Sequence, residues 1–173
     1  MRLETLDGPT RERVLGYVRE VGGVVTHATG GVLRVTLPSW QAVVELATWI
    51  GLDAAEWSTE IVDLALRLAT PAACLVWVQS HIEWRDEPGE RLAYPTITID
   101  RGAGDCDDTA SLLVALLTAI GYPAVVCACT IDGIPVHGVA AVQLASGWHW
   151  ADGSEPRDLR PWREHPLASD ARR

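Results

Sequence analysis

Apolar positions along the chain change period three times, and those changes mark out its elements. From Pro9 to Val21 the residues Val14, Tyr17, Val18 and Val21 recur at helical spacing, which predicts a helix ended by Gly22-Gly23. Two β-branched runs, Val24 to Ala28 and Val32 to Leu37, joined by Thr29-Gly30-Gly31, predict a hairpin. Helical spacing then returns in three segments. The first runs from the N-cap Ser39 to about Ile50, with Gly51 closing it. The second starts at Ser58 or Thr59 and carries Ile61, Leu64, Ala65 and Leu68, and the third opens on Pro71 and runs to about His81. Between Asp86 and Arg101 the pattern lapses around Pro88-Gly89 and Pro95, which predicts a surface loop.

The densest apolar stretch follows, from Thr109 to Ile120. Ala110, Leu113, Val114, Leu117 and Ile120 lie on one stripe, and Leu112 and Leu116 widen it beyond a single surface face, which predicts a central buried helix. Asp105 suits its N-cap, Asp108 falls in an approximate capping-box position, and Gly121 with Pro123 ends it. Beyond that point the period becomes two. Ala124 to Ile131, Val136 to Leu144 and Trp148 to Asp152 read as strands joined by turns at Asp132-Gly133 and Ser146-Gly147. The expectation is therefore one α+β domain over residues 1–173, with N-terminal helices and the central helix packed on an antiparallel sheet and an irregular tail at 154–173.

Composition narrows the partners. A formal net charge of −9 without a basic cluster argues against nucleic acid and against an anionic membrane surface. The charged N-terminus does not read as a signal peptide, and no stretch is apolar enough to span a bilayer, so a cytoplasmic protein is expected. Without lysine, the chain cannot offer its own lysine amines as acceptors. Its four cysteines, Cys74, Cys106, Cys127 and Cys129, read as reduced thiols. The Cys127-Ala128-Cys129 spacing lacks the partners of a metal site, and no metal or cofactor is expected.

The chemistry concentrates on the start of the central helix. Cys106 falls in the first turn, where unpaired amides and the helix dipole favour a thiolate. Asp105, Asp107 and Asp108 oppose that effect, so a cationic partner is required. His137 on the following hairpin and Asp152 on the next strand fit the need: the imidazole takes the thiol proton, and the carboxylate fixes its tautomer. The Cys106 amide would then face an oxyanion. His27, His81 and His149 read as strand, helix-end and packing residues.

The order of these residues resembles a known family. Gly104-Asp105-Cys106-Asp107-Asp108 with the helix behind it is similar to the nucleophile helix of the transglutaminase-like, papain-related cysteine peptidases, and to their short phage and bacterial members with a G-D-C-D-D sequence. His137-Gly138-Val139-Ala140 resembles the family's histidine strand, and Gly147-Trp148 through Asp152 resembles the strand bearing the acid. The resemblance covers residues 59–153 and implies a papain-like core and a thioester-forming enzyme of amide bonds, with Cys106, His137 and Asp152 as catalytic residues. Trp84 and Tyr94 are candidates to line the substrate site or assist the oxyanion, and Asp105 and Asp108 support the helix N-terminus. The implied substrate is a peptide or protein. Residues 1–58, read as helix, hairpin and helix, have no counterpart in the family. An alternative stays open: a non-catalytic assembly protein, phage-encoded and virion-associated, that uses the fold to bind a phage or bacterial protein.

Overall fold

Helix α6 (Cys106–Ala119) has Leu112, Leu113, Val114, Leu116 and Leu117 on several faces, all without exposure to solvent. A helix that is apolar nearly all round must be wrapped on every side. The computed structural model describes residues 1–5, 8–29, 31–86, 91–131, 134–154 and 158–161 and shows what wraps it. The preceding elements are β1 (Arg2–Glu4), α1 (Gly8–Glu20), β2 (Val24–Thr29), β3 (Val32–Thr36), α2 (Trp40–Trp57), α3 (Thr59–Leu68), α4 (Pro71–His81), β4 (Glu83–Trp84), β5 (Arg91–Ala93), α5 (Pro95–Arg101) and β6 (Ala103–Gly104). Strands β7 (Ala124–Ile131), β8 (Ile134–Leu144), β9 (Gly147–Ala151) and β10 (Arg160–Pro161) follow.

The fold is α+β. Helices α2, α3, α4 and α5 and strands β7 and β8 all pack on α6. Strands β7 to β9 form an antiparallel sheet with β10 at its edge, and Val126, Ala140, Val142 and Ala151 turn into the core. A second sheet has the order β2-β3-β1-β5, in which β1 pairs antiparallel with β3 and parallel with β5. β4 and β6 make a short parallel pair. The N-terminal segment is thus built into the same core: Leu3, Val18, Leu46 and Ile50 pack in one cluster with Leu113 and Leu116.

Local capping follows the sequence closely. Ser39, Ser58 and Thr70 each accept a backbone amide three residues on, from Ala42, Ile61 and Ala73. At the far end of α6 the Gly121 amide bonds the Thr118 carbonyl and the Tyr122 amide bonds the Leu117 carbonyl, a Schellman closure with Gly121 at φ +86.

Three expectations change. Helix α2 continues to Trp57, because Gly51 is a contact point and not a terminator: a Cβ there would lie 2.7 Å from the Ser111 carbonyl oxygen of α6. The expected loop from Asp86 to Arg101 contains β5 and α5, elements of 3 and 7 residues that are too short to show a period. In the tail, Arg160 and Pro161 pair with Trp150 and His149. The turns expected at Pro88-Gly89 and Asp132-Gly133, and most of the tail, lie outside the described residues. Among the described residues no single helix is long and apolar enough to cross a membrane.

Candidate active site

Cys106 is the first residue of α6. The extended Asp105 before it turns its carboxylate back over the helix, where Oδ1 accepts the amides of Asp107 at 3.1 Å and Asp108 at 3.3 Å. The N-cap expected at Asp105 is therefore present. The thiol is half-buried between two groups of opposite effect. The backbone N–H of Gly138 on β8 donates to the sulfur, and the thiol itself donates to Oδ1 of Asp107 at 3.7 Å. Burial first, then the charges of Asp107 and Asp105, push the Cys106 thiol up to about 12, and the Gly138 amide pulls it down only in part. The positive end of the helix does not prevail over desolvation and the two neighbouring carboxyl groups.

His137 and Asp152 meet across the β8–β9 pair. The register aligns Ala140 with Ala151, so the two strands carry His137 and the residue just after β9 to the same end of the sheet. His137 Nε2 lies 2.8 Å from Asp152 Oδ2. The other oxygen of Asp152 accepts the Ser154 amide at 2.9 Å and the Ser154 hydroxyl at 2.7 Å, while Gln79 of α4 donates to its backbone carbonyl at 2.9 Å. Burial pushes this carboxyl up, but the bonds from His137 and Ser154 outweigh it and hold Asp152 below the usual carboxylate range. Asp152 is thus an ionised, doubly anchored partner for Nε2 of His137.

Two glycines bring these strands onto the helix. A Cβ at Gly138 would lie 2.9 Å from Asp107 Oδ1, and one at Gly153 would lie 2.8 Å from the Thr109 Cβ. Each stands immediately after a candidate catalytic residue and lets the backbone approach the first turn of α6 closely. The residues missed by sequence reasoning are these two glycines, Ser154 and Gln79. The glycines had a legible signal, since a glycine within or beside a strand often marks a close approach of backbones.

The family model of the transglutaminase-like superfamily matches residues 61–153, more than half of the chain. The chain belongs to the transglutaminase-like superfamily. No curated protein sequence matches it. Among solved structures it is similar to a candidate cysteine protease from Cytophaga hutchinsonii, at 20% identity over 56% of this chain and 37% of that one, with a TM-score of 0.47. It is also similar to EGTA-treated LapG of Legionella pneumophila, at 17% identity over 73% of this chain and 77% of that one, with a TM-score of 0.48. A TGase crystal structure matches at 13% identity over 93% of this chain and 52% of that one, with a TM-score of 0.43. The chain thus spans little more than a third of the first of these relatives and about half of the third.

Around this transglutaminase-like site the remaining candidates separate. Trp84 is half-exposed on β4 and pairs with Gly104, two residues before Cys106, so it stands beside the Cys106 turn. Tyr94 does not line an open surface. It is buried, with its hydroxyl donating to Asp53 Oδ2 of α2 at 2.7 Å and its amide bonded to the Glu4 carbonyl of β1. Asp108 does not close a capping box: its Oδ1 reaches sideways to accept the Ala93 amide at 2.7 Å. Burial, with the charge of Asp105, pushes Asp108 up to about 7 against the pull of the Ala93 amide and Arg91.

Among the described residues the other histidines lie apart from this chemistry, whereas Cys129 faces His137 across the β7–β8 pair and feels the charge of Asp152. His149 is buried beside Ser146 and Gly147, His81 stacks on Trp77, and His27 bonds Thr29. Burial raises the thiols of Cys74 and Cys127 to about 11 and that of Cys129 to about 12, so intrinsic acidity does not distinguish Cys106 from them. Among the described residues no group of three or more His, Cys, Asp and Glu side chains is placed to hold a metal ion.

Proposed function

We propose that this protein is a cysteine-dependent amide-bond enzyme, a peptidase, amidase or transamidase, with Cys106 as nucleophile, His137 as base and Asp152 as the group that orients the base. One observation carries the reading: His137 gives Nε2 to Asp152 at 2.8 Å while the very next residue, Gly138, gives its amide to the Cys106 sulfur. A neutral imidazole with Nε2–H fixed by a carboxylate has Nδ1 as its acceptor. In the proposed reaction the Cys106 proton passes to Nδ1 as sulfur attacks the substrate carbonyl. The oxyanion is met by the Cys106 amide at the helix terminus, with Trp84 as a neighbouring wall. The imidazolium then protonates the departing amine, leaving a thioester that water or a second amine resolves, with the imidazole taking the acceptor's proton.

Residues 59–153 are the proposed catalytic core, of the short G-D-C-D-D kind, acting on a peptide or protein. The test is iodoacetamide labelling of each cysteine against pH, followed by mass spectrometry, in the native protein and in His137→Ala. Cys127 is the fair comparison, being half-buried like Cys106. The proposal expects Cys106 to outpace Cys127 near neutral pH and to lose that lead in His137→Ala. Equal labelling in both proteins would sink it. The thiol held near 12 favours a second reading, an assembly module that binds a phage or bacterial protein without catalysis. Cys106→Ala separates the two, abolishing amide chemistry and leaving partner binding intact.

A further inference from the structure

The N-terminal segment ends, in chemical terms, at the nucleophile. Asp53 of α2 has a side chain without solvent exposure that collects three donors. Arg13 of α1 reaches both oxygens, at 2.5 and 3.0 Å, Tyr17 of α1 donates to Oδ1 at 2.9 Å, and Tyr94 donates to Oδ2 at 2.7 Å. Arg13 also lies over the ring of Trp57, with its guanidinium carbon 5.1 Å from the ring centroid. Such a carboxylate is a fixed anchor, since moving it would strand two phenols and a guanidinium.

What it anchors is β5. Tyr94 follows that strand directly and is held at both ends by the N-terminal segment, through its amide on the Glu4 carbonyl and its hydroxyl on Asp53. The strand is paired along its length with β1, Glu4 facing Ala93, and Glu4 in turn holds Arg91 and Arg101. On the opposite edge of β5 the Ala93 amide meets Asp108 Oδ1 at 2.7 Å, and Asp108 belongs to the turn of α6 that begins with Cys106. We infer that Asp53 is a positioning residue for the proposed nucleophile: through Tyr94 it sets β5, and the Ala93 amide of β5 fixes Asp108 and the first turn of α6. Residues 1–58 then complete the active site without touching the substrate. This inference names the role of that segment and rests on the function proposed for Cys106.

The test uses the full chain with Tyr94→Phe, which removes one oxygen atom, and Asp53→Asn, which weakens the anchor itself. Thr48→Val is the control: Thr48 lies on the same helix, and its hydroxyl accepts the Val126 amide at 2.9 Å, away from β5. The first readout is the titration of Asp108, followed by carboxyl carbon NMR in aspartate-labelled protein and assigned with Asp108→Asn. Loosening β5 weakens the Ala93 amide bond, which favours the ionised form, so the Asp108 midpoint moves up by about half a unit in Tyr94→Phe and Asp53→Asn. The second readout is the pH profile of Cys106 alkylation, whose midpoint moves up in the same two variants as the thiol loses register with the Gly138 amide. Thr48→Val lowers the melting temperature and leaves both midpoints in place.

If all three variants lose stability and neither midpoint moves, Asp53 only holds the fold together and the inference is overturned. If native Cys106 shows no reactivity beyond that of Cys127, the proposed function fails. The Asp108 titration in Tyr94→Phe still decides whether Asp53 sets that turn. Should Asp53→Asn not fold, Tyr94→Phe alone decides it.

Discussion

Asp108→Asn should stabilise the protein at alkaline pH and hardly at all in acid. The side chain is fully buried, with Oδ1 on the Ala93 amide and Oδ2 lying against Gly104 without a hydrogen-bond partner among the described residues. Its carboxyl is pushed from 3.8 up to about 7. A raised acid means that the folded state holds the proton more tightly than the unfolded chain. The stabilisation is therefore complete below the unfolded value and is lost as pH rises through the folded one. The gap of roughly three units corresponds to about 4 kcal/mol at 1.36 kcal/mol per unit, lost between about pH 4 and pH 7. Asparagine keeps an acceptor for Ala93 and places N–H where the protonated acid has O–H, so it copies the neutral form and does not titrate. Urea unfolding of both proteins at pH 4.5 and pH 8, followed by tryptophan fluorescence, should show the variant gaining about 3 kcal/mol on the native protein between the two conditions. A difference that is the same at both pH values would show that Asp108 is ionised throughout and would refute the reasoning.

Two further substitutions test the packing and the acid. Gly51→Ala would gain helix propensity of about 1 kcal/mol yet place its Cβ 2.7 Å from the Ser111 carbonyl, so a net loss of about 1–2 kcal/mol is expected in urea unfolding, and any gain would refute the close approach. Asp152→Asn cannot accept from both His137 and Ser154, because its amide nitrogen must face one of the two donors. The His137-dependent part of Cys106 alkylation at pH 7 should fall, on the scale of up to about 10⁴ seen when the corresponding contact of a serine triad is broken. Native reactivity in that variant would remove Asp152 from the mechanism.

The legible parts of this fold are those where one segment carries its own signal. The caps at Ser39, Ser58, Thr70 and Asp105 are local bonds between a side chain and an amide at most three residues away. The all-round apolar face of α6 and the period-two strands after it announced a wrapped helix and a sheet. Gly51 reads as a helix end in the sequence because a helix-ending glycine and a helix-crossing glycine look the same until the partner helix is known. β5 and α5 were hidden because their stability comes from β1 and α6, distant in sequence. The same reason separates Trp84, found beside the Cys106 turn, from Tyr94, drawn into the core by Asp53 of α2.

Where the thiol proton resides decides how this site would work. Burial and then the charge of Asp107 push the Cys106 thiol up to about 12, which opposes a thiolate at rest. In the proposed reaction the proton leaves the sulfur as it attacks, when the negative charge moves on to the carbonyl oxygen. Asp107 is the residue that sets this balance, since its Oδ1 receives the thiol proton at 3.7 Å and its charge opposes the thiolate. Asp107→Asn keeps the shape and removes the charge, and a neighbouring charge of this kind moves a pKa by about 1–3 units. Cys106 alkylation at pH 7 should rise about tenfold or more, with its dependence on His137 retained. An unchanged or slower rate would mean that Asp107 acts more on the imidazolium than on the sulfur, and that the thiol is already deprotonated at rest.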